Sequence, residues 1–453
     1  MKKTLVSIAA ASLIVSSAMA ADKGIDIVTT GQAVVYYETK ADNATGSDDL
    51  FDQNTAAANY GVQLNLDADL KNGFTFGSQL SYLGTLGLEK NLVSNTRQST
   101  TSVGAMDNIS DEIALTKIFV AKKVGNTTVK LGRQALPKSL SPLAYSEDWN
   151  VFQNTFEAAL VVNSDIPDTL LVGAYVGQSN GSLGANFSTF DNLKVGGTGA
   201  QVQGTAYMLT VQNASVPMTT ITGSYYQLAD LGVPATAGTQ TIDEDTGAAT
   251  AVPAVAAVHH EGASAVWFDV AVADKSLPMG LKLGVQAGSI MPEYSTYENT
   301  TALGVKVGLA PVEALTLCAA YTSVSDGTAA IKNTGTGVKT PLFTQMIYNQ
   351  NAISRAADTF MLKAAYNTGA YGTIIAQGTM TTDTSDGGTG ELGNLERRNG
   401  VDTDYRDLEL VYKVKVSGMD LMAAYINRDW SEKSGTADEE NAVRIVADRK
   451  SVV

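Results

Sequence analysis

Residues 60–82 read YGVQLNLDADLKNGFTFGSQLSY, and this stretch decides the fold. Apolar side chains occupy every second position up to Leu70, with polar side chains or glycine between them. A period of two residues is the pattern of a β-strand with one apolar face. The letters KNG at 71–73 are typical of a tight turn, and the alternation resumes at Phe74. The stretch therefore predicts an antiparallel hairpin.

The same pattern recurs along the chain as seven further pairs of alternating segments, each pair joined by a short turn. These pairs are 113–123 with 127–135, 156–163 with 169–178, 202–212 with 218–228, 263–273 with 281–288, 303–309 with 315–321, 359–366 with 371–379, and 408–416 with 421–428. Single strands at 31–38 and 441–449 bring the total to about eighteen, with sixteen as the alternative. Most of these segments are near the roughly 9 to 11 residues with which a tilted strand crosses a membrane. Lys117 breaks the alternation in its segment, which predicts a β-bulge or a different strand register.

The connections between the predicted strands are alternately short and long. The long ones are rich in Gly, Thr, Asn, Asp and Ala, and they span 39–59, 87–111, 136–155, 179–201, 229–262, 291–300, 324–358, 381–404 and 429–440. Outer-membrane barrels have short periplasmic turns and long outer loops. We therefore predict an all-β fold, a transmembrane antiparallel β-barrel that forms one domain over residues 21–453. A soluble β-solenoid or a multi-domain sandwich is the alternative.

The first twenty residues have the order of a secretory signal peptide, with a basic start, an apolar middle and the small-residue site AMA at 18–20. We expect cleavage after Ala20. No later run of about eighteen apolar residues occurs, which excludes an α-helical membrane protein. The chain of 453 residues has a net charge of -15, which becomes −17 when Lys2 and Lys3 are removed. Its pI of about 4.6 excludes the basic footprint of a nucleic-acid-binding protein. These features predict the outer membrane of a Gram-negative bacterium.

Because a barrel of this size is too wide for side chains to fill, water should occupy the lumen and meet the polar face of each strand. Charged side chains on that face are the ones that a solute would feel. The predicted pore-wall residues are Lys130, Lys282, Lys306, Lys363, Asp407, Glu409, Lys413, Lys415 and Arg444.

The third long connection, residues 136–155, reads LPKSLSPLAYSEDWNVFQNT and has unusual apolar and aromatic content. An exposed loop would not favour such side chains. We predict that it folds inward and constricts the bore, although it could instead cap the outside or pack on a neighbouring subunit. The predicted constriction residues are Lys138, Tyr145, Glu147, Asp148 and Trp149.

Catalytic and metal-binding side chains are scarce. The chain has one cysteine, Cys318, and two adjacent histidines at 259–260. A nucleophile–base pair or a metal centre needs more than this, so we expect no enzymatic activity, no catalytic residues and no cofactor. Acidic clusters at 48–49, 243–245 and 438–440 predict at most weak binding of divalent cations or contact with lipopolysaccharide, and plain solvation is the alternative.

Two local strings, KLGRQALPKSL at 130–140 and FEAALVVNSDIPDTLLVGAYV at 156–176, resemble the major outer-membrane porins of the Campylobacter group, which are related to the OprD-like porins. The resemblance implies a trimeric, passive diffusion channel with a third loop that constricts each pore, and a preference for cations. Such barrels usually end in an aromatic residue, whereas this sequence ends at Val453.

The predicted function is that of a general diffusion porin that passes small hydrophilic solutes and ions and is weakly cation-selective. Acidic outer loops would concentrate cations at the mouth, and the inward lysines would act in the opposite direction. A surface adhesin or structural barrel and a substrate-specific channel are the two alternatives.

Overall fold

The computed structural model describes residues 25–42, 49–52, 55–84, 86, 112–147, 151–181, 190–193, 201–202, 206–229, 231–233, 239–242, 249–252, 258–295, 297–385 and 401–452. The predicted signal peptide lies outside the described residues. Among the described residues, no helix is long and apolar enough to span a membrane. The only helical turns in this part of the chain are two short 3-10 turns, Pro278–Gly280 and Gly369–Tyr371.

Eighteen long strands form one sheet. They are β1 (Asp26–Asp42), β2 (Ala57–Lys71), β3 (Phe74–Gly84), β4 (Glu112–Val124), β5 (Thr127–Gln134), β6 (Phe156–Asn163), β7 (Thr169–Ser179), β8 (Ala206–Asn213), β9 (Thr219–Leu228), β10 (Ala263–Ala273), β11 (Lys282–Pro292), β12 (Thr300–Val312), β13 (Leu315–Val324), β14 (Ala357–Asn367), β15 (Thr373–Asp383), β16 (Thr403–Val416), β17 (Met419–Glu432) and β18 (Ala437–Val452).

Each of these strands pairs antiparallel with the next one in the chain, and the last pairs with the first. The β1–β18 pairing runs from Thr30 opposite Val452 to Asp42 opposite Glu440. The sheet therefore closes into an eighteen-strand barrel, which confirms the predicted fold class. The strand ends differ from the prediction: β1 begins earlier and β18 ends later, because strand pairing continues beyond the clearly alternating residues.

Short strands besides these eighteen belong to the long connections. Gln201–Val202 and Val258–His260 both pair with Leu231–Val233, and Thr239–Ile242 pairs with Ala249–Val252. Asp191–Asn192 pairs antiparallel with the end of β7 in the barrel sheet. The predicted strand 202–212 therefore begins at Ala206, and Val202 belongs to a separate small sheet.

The two faces of the wall differ as the alternation predicts. Leu303 and Val305 of β12 point outward and expose 63% and 52% of their surface, whereas the inward-facing Ala302 is 1% exposed. An apolar outer band is the feature that lets a barrel sit in hydrocarbon. The bulge predicted at Lys117 is confirmed. Gln79 lies opposite Lys117 while the adjacent Leu80 lies opposite Leu115, so β4 has one extra residue.

The turn at 71–73 shows why a glycine stands there. Gly73 has a φ of +78°, and a Cβ atom at this position would lie 2.5 Å from the carbonyl oxygen of Lys123. Only glycine adopts this backbone conformation readily. The close approach also allows the Lys123 N–H to donate to the Gly73 carbonyl oxygen at 2.8 Å, which links this turn to the end of β4.

Candidate functional site

The 136–155 segment, between β5 and β6, contacts the inner face of the wall on two sides. Leu143 is buried in a cluster with inward-facing residues such as Val172 of β7. Phe152 is buried in a second cluster with Leu83 of β3. The described part of the segment therefore lies within the barrel.

The structure places three of the five predicted constriction residues. Tyr145 and Glu147 are buried, and Lys138 is exposed with its Nζ donating to the carbonyl oxygen of Thr340 at 2.9 Å. Asp148 and Trp149 lie outside the described residues.

A second long connection, the 325–356 segment between β13 and β14, also lies within the barrel. Ile331, Asn333 and Ile353 have no exposed surface. Sequence reasoning treated this connection as an ordinary outer loop because it is rich in Thr, Asn and Gly. Residues 343–353, FTQMIYNQNAI, carry apolar and aromatic side chains at a density similar to that of the 136–155 segment. That signal could have identified the second segment.

The two segments are joined through the carboxylate of Glu147. Its Oε1 accepts hydrogen bonds from Asn333 Nδ2 at 2.8 Å, from the Lys339 backbone N–H at 3.1 Å, and from the Thr336 hydroxyl. Asn333 also accepts the Tyr145 backbone N–H through its Oδ1 at 2.9 Å. A carboxylate that receives several donors is a strong local anchor, so the segments are held to each other as well as to the wall.

The tip of the 325–356 segment, residues 347–348, contacts β16 and β17, which are not the strands that the segment connects. The Ile347 backbone N–H donates to Glu409 Oε1 of β16 at 2.6 Å. Arg428 of β17 donates from its Nη2 to the Tyr348 carbonyl oxygen at 3.0 Å, and its Nε donates to Asp407 Oδ1 at 2.6 Å. Asp407 and Glu409, both predicted for the pore wall, thus face inward but are covered by the segment.

Lys339 is buried within the 325–356 segment. Its Nζ donates to the carbonyl oxygens of Met346 and Ile347 at 3.1 and 2.6 Å, and to Gln350 Oε1 at 3.3 Å. Burial lowers the pKa of the Lys339 ammonium to about 7, and the nearby Arg444 acts in the same direction. The Lys339 ammonium therefore loses its proton more easily than that of an exposed lysine.

The remaining predicted wall residues lie on the inner face in three settings. Lys282, Lys413 and Lys415 are exposed near the short turns, and Lys363 is half-buried. Two further lysines lie over aromatic rings, Lys130 with its Nζ 3.7 Å from the Phe119 centroid and Lys306 with its Nζ 4.0 Å from the Phe343 centroid. Arg444 is buried beside Glu38 of β1.

A cavity of about 800 Å³ remains between the inner wall and the tip of the 325–356 segment. Its lining includes Ile347, Lys363, Gln377, Lys413 and Arg444. The lining has more basic than acidic side chains, which makes this region attractive to anions. The arrangement can filter hydrated solutes by size and charge.

Metal-binding side chains do not cluster in the part of the chain that the structure describes: no three His, Cys, Asp or Glu residues there are placed to hold a metal ion. Cys318 is half-buried on the inner face. The acidic cluster at 243–245, Asp48 and the side chains of the two histidines lie outside the described residues.

The closed wall of eighteen antiparallel strands, with long connections folded into the lumen, places the fold in the class of large outer-membrane barrels. Among solved structures, it is similar to the crystal structure of Pseudomonas aeruginosa OccK8 (OprE), with a TM-score of 0.67, 13% identity, and coverage of 94% of this chain and 98% of that one.

Two other solved structures are similar to the same extent. OpdQ of Pseudomonas aeruginosa matches with a TM-score of 0.66 and 11% identity, covering 94% of this chain and 98% of that one. A BenF-like porin from Pseudomonas fluorescens Pf-5 matches with a TM-score of 0.66 and 12% identity, covering 94% of this chain and 99% of that one. No family model and no curated protein matches the sequence. At these identities the likeness establishes the fold, and the relation to the Campylobacter-group porins stays a prediction.

Proposed function

We propose that this protein is an outer-membrane channel through which small hydrophilic solutes and ions pass passively, with no bond made or broken. One observation carries the proposal: a closed barrel with an apolar outer face keeps a charged cavity of about 800 Å³ inside, beside a segment folded into its lumen. A barrel that serves only as a surface anchor has no need of a lysine-lined interior.

The 136–155 and 325–356 segments together form the proposed constriction. Lys138, Tyr145 and Glu147 would contribute from the first segment, along with Asp148 and Trp149, and Phe343 from the second. Lys130, Lys282, Lys306, Lys363, Lys413 and Lys415 would line the approaches on the wall. The half-buried Lys306 and Phe343 join the wall to the second segment, with the lysine Nζ 4.0 Å from the ring centroid.

Weak cation selectivity is the finer part of the proposal. It is supported by the net charge of -15, since acids outside the bore concentrate cations at its mouth. The inner lysines oppose cation selectivity. The sign of the measured selectivity therefore shows whether the outer acids or the inner lysines interact more strongly with the permeating ion. The signal peptide, the homotrimer and contact with lipopolysaccharide are proposed from the sequence pattern and the resemblance stated above.

A solute-specific channel is the second candidate. The observation that favours it is that two segments, rather than one, occupy the lumen and are held by hydrogen bonds to each other. A narrower passage selects more strongly among solutes than a wide one.

Single-channel recording of the purified protein in a planar bilayer tests these proposals. Stepwise conductance is expected, with groups of three steps for a trimer and a reversal potential in a KCl gradient of the sign for cations. Saturable block of the current by one solute class would favour the solute-specific channel. Silence from a demonstrably folded protein would contradict the channel and favour the adhesin alternative.

A further inference from the structure

The seam at which the barrel closes carries a buried ion pair on its inner face. Glu38 of β1 and Arg444 of β18 are register partners. Arg444 donates from Nε to Glu38 Oε2 at 2.7 Å, with its Nη2 2.6 Å from the same oxygen. The Tyr36 hydroxyl donates to Glu38 Oε2 at 2.6 Å.

The tip of the 325–356 segment covers this pair. The Arg444 guanidinium carbon lies 5.3 Å from the Tyr348 ring centroid and 5.5 Å from the Tyr36 ring centroid, so it contacts both rings. Lys40 Nζ lies 4.4 Å from the Tyr348 ring centroid. The Tyr348 side chain thus contacts two cations of the seam, and cations over aromatic faces are attracted to them.

The 325–356 segment is what buries the pair. Arg444 is 2% exposed although its strand position faces the lumen, where water would otherwise reach it. A buried charge pair is weak evidence for a stabilising role, because desolvation offsets the attraction between the charges. The hydrogen bonds from Arg444 and Tyr36 to Glu38 instead hold the pair in one arrangement against which the segment can dock.

We infer that Glu38 and Arg444 are positioning residues that dock Tyr348 at the closure seam, and that this docking sets the open size of the channel. The inference rests on the proposed function. Ile347, next to Tyr348, and Arg444 both line the cavity of about 800 Å³. Release of the tip would therefore enlarge the passage at this cavity. Residues 333–339 of the segment would stay joined to Glu147.

The test compares single-channel conductance and the largest neutral polymer that enters the pore. For Tyr348→Ala we expect about a two-fold rise in conductance, because a wider constriction carries more current, and we expect entry of larger polymers. Tyr348→Phe keeps the ring, so it should remain near the wild-type values. Arg444→Lys keeps the charge but loses the planar group that contacts Glu38 through two nitrogens, so it should fall between the wild type and Tyr348→Ala. Arg444→Gln should resemble Tyr348→Ala.

Tyr371→Ala is the matched control, since it removes the same side chain from a short turn where Tyr371 is 78% exposed. Each variant is checked for folding by the heat-dependent shift of its mobility in SDS gels. Tyr348 is not part of the wall, so Tyr348→Ala keeps the test valid even if the Arg444 variants do not fold.

Equal conductance and equal polymer entry in the wild type and Tyr348→Ala would overturn the inference and leave the channel intact. Silence of the wild type and all variants would overturn the channel and the inference with it. A silent wild type beside a conducting Tyr348→Ala would support the docking role and contradict a permanently open pore.

Discussion

The wall of the barrel and the two segments inside it are held by different interactions. The wall consists of strands paired through backbone hydrogen bonds, and many exposed apolar side chains cover its outer face. The described residues of the segments form no helix or strand, and many of their hydrogen bonds join a side chain to the backbone, as at Glu147 and Arg428. The wall thus fixes the fold, while the segments fix the shape of the space inside it. Changes in the two regions should therefore have separable effects.

The largest effect should come from a charge on the outer face of the wall. Val305→Arg places a guanidinium at an outward position that is 52% exposed, and a charge facing lipid costs about 2–4 kcal/mol near the bilayer centre. We expect a loss of that size in the free energy of unfolding, measured by urea titration in lipid vesicles. Val305→Leu should change little. A Val305→Arg protein as stable as the wild type would contradict the outward orientation of this face.

Removal of the Glu147 carboxylate should loosen the segments and leave the wall intact. Glu147→Ala leaves three buried donors, from Asn333, Thr336 and the Lys339 backbone, without this acceptor. A buried donor without a partner costs about 1–3 kcal/mol. We expect faster hydrogen exchange and earlier proteolysis within 325–356.

The control for this change is Glu147→Gln, which keeps an oxygen acceptor and should have a smaller effect. Exchange in β12 and β13 should stay at the wild-type rate in both variants. Equal loosening of those strands would show that the segments and the wall do not unfold separately.

A pair of glycines in the short turns gives a smaller effect. Gly73 and Gly125 both have positive φ values, +78° and +58°. A Cβ atom at Gly73 would meet the Lys123 carbonyl oxygen at 2.5 Å, whereas a Cβ atom at Gly125 would meet nothing within 4 Å. Gly125→Ala should cost about 1–2 kcal/mol from the backbone conformation alone, and Gly73→Ala should cost more. Equal unfolding free energies for the two variants would contradict the close approach at Gly73.

The wall could be predicted from the sequence because lipid outside and polar surroundings inside impose a period of two on every strand. Turn-forming residues, such as KNG at 71–73, then predict where each hairpin turns. The segments depend instead on contacts between residues far apart in the chain. Asn333 and Thr336 read as solvated loop residues, and their burial follows from Glu147, nearly two hundred positions earlier.

For the pore-wall residues, too, the sequence does not predict contacts with residues far away in the chain. The alternation placed Asp407, Glu409 and Arg444 on the inner face, where the structure has them. It could not predict that the 325–356 segment covers them, because that requires the position of Tyr348 and Ile347 in space. The alternation assigns each side chain to a face of the sheet. Whether water reaches that side chain depends on the packing of the segments against the wall.

The smallest expected effect is a pH dependence of the segments that the wall does not share. Burial lowers the pKa of Lys339 to about 7, while an exposed lysine has a pKa near ~10.4. Between these values the docked segment binds fewer protons than a released one, so docking should strengthen as pH rises through this interval and be weakest below pH ~7. Brief current fluctuations of the open channel should therefore become rarer from pH ~7 to pH ~9 in the wild type. Lys339→Met lacks the titrating group and should lose this dependence, and an unchanged dependence in Lys339→Met would assign it to other groups.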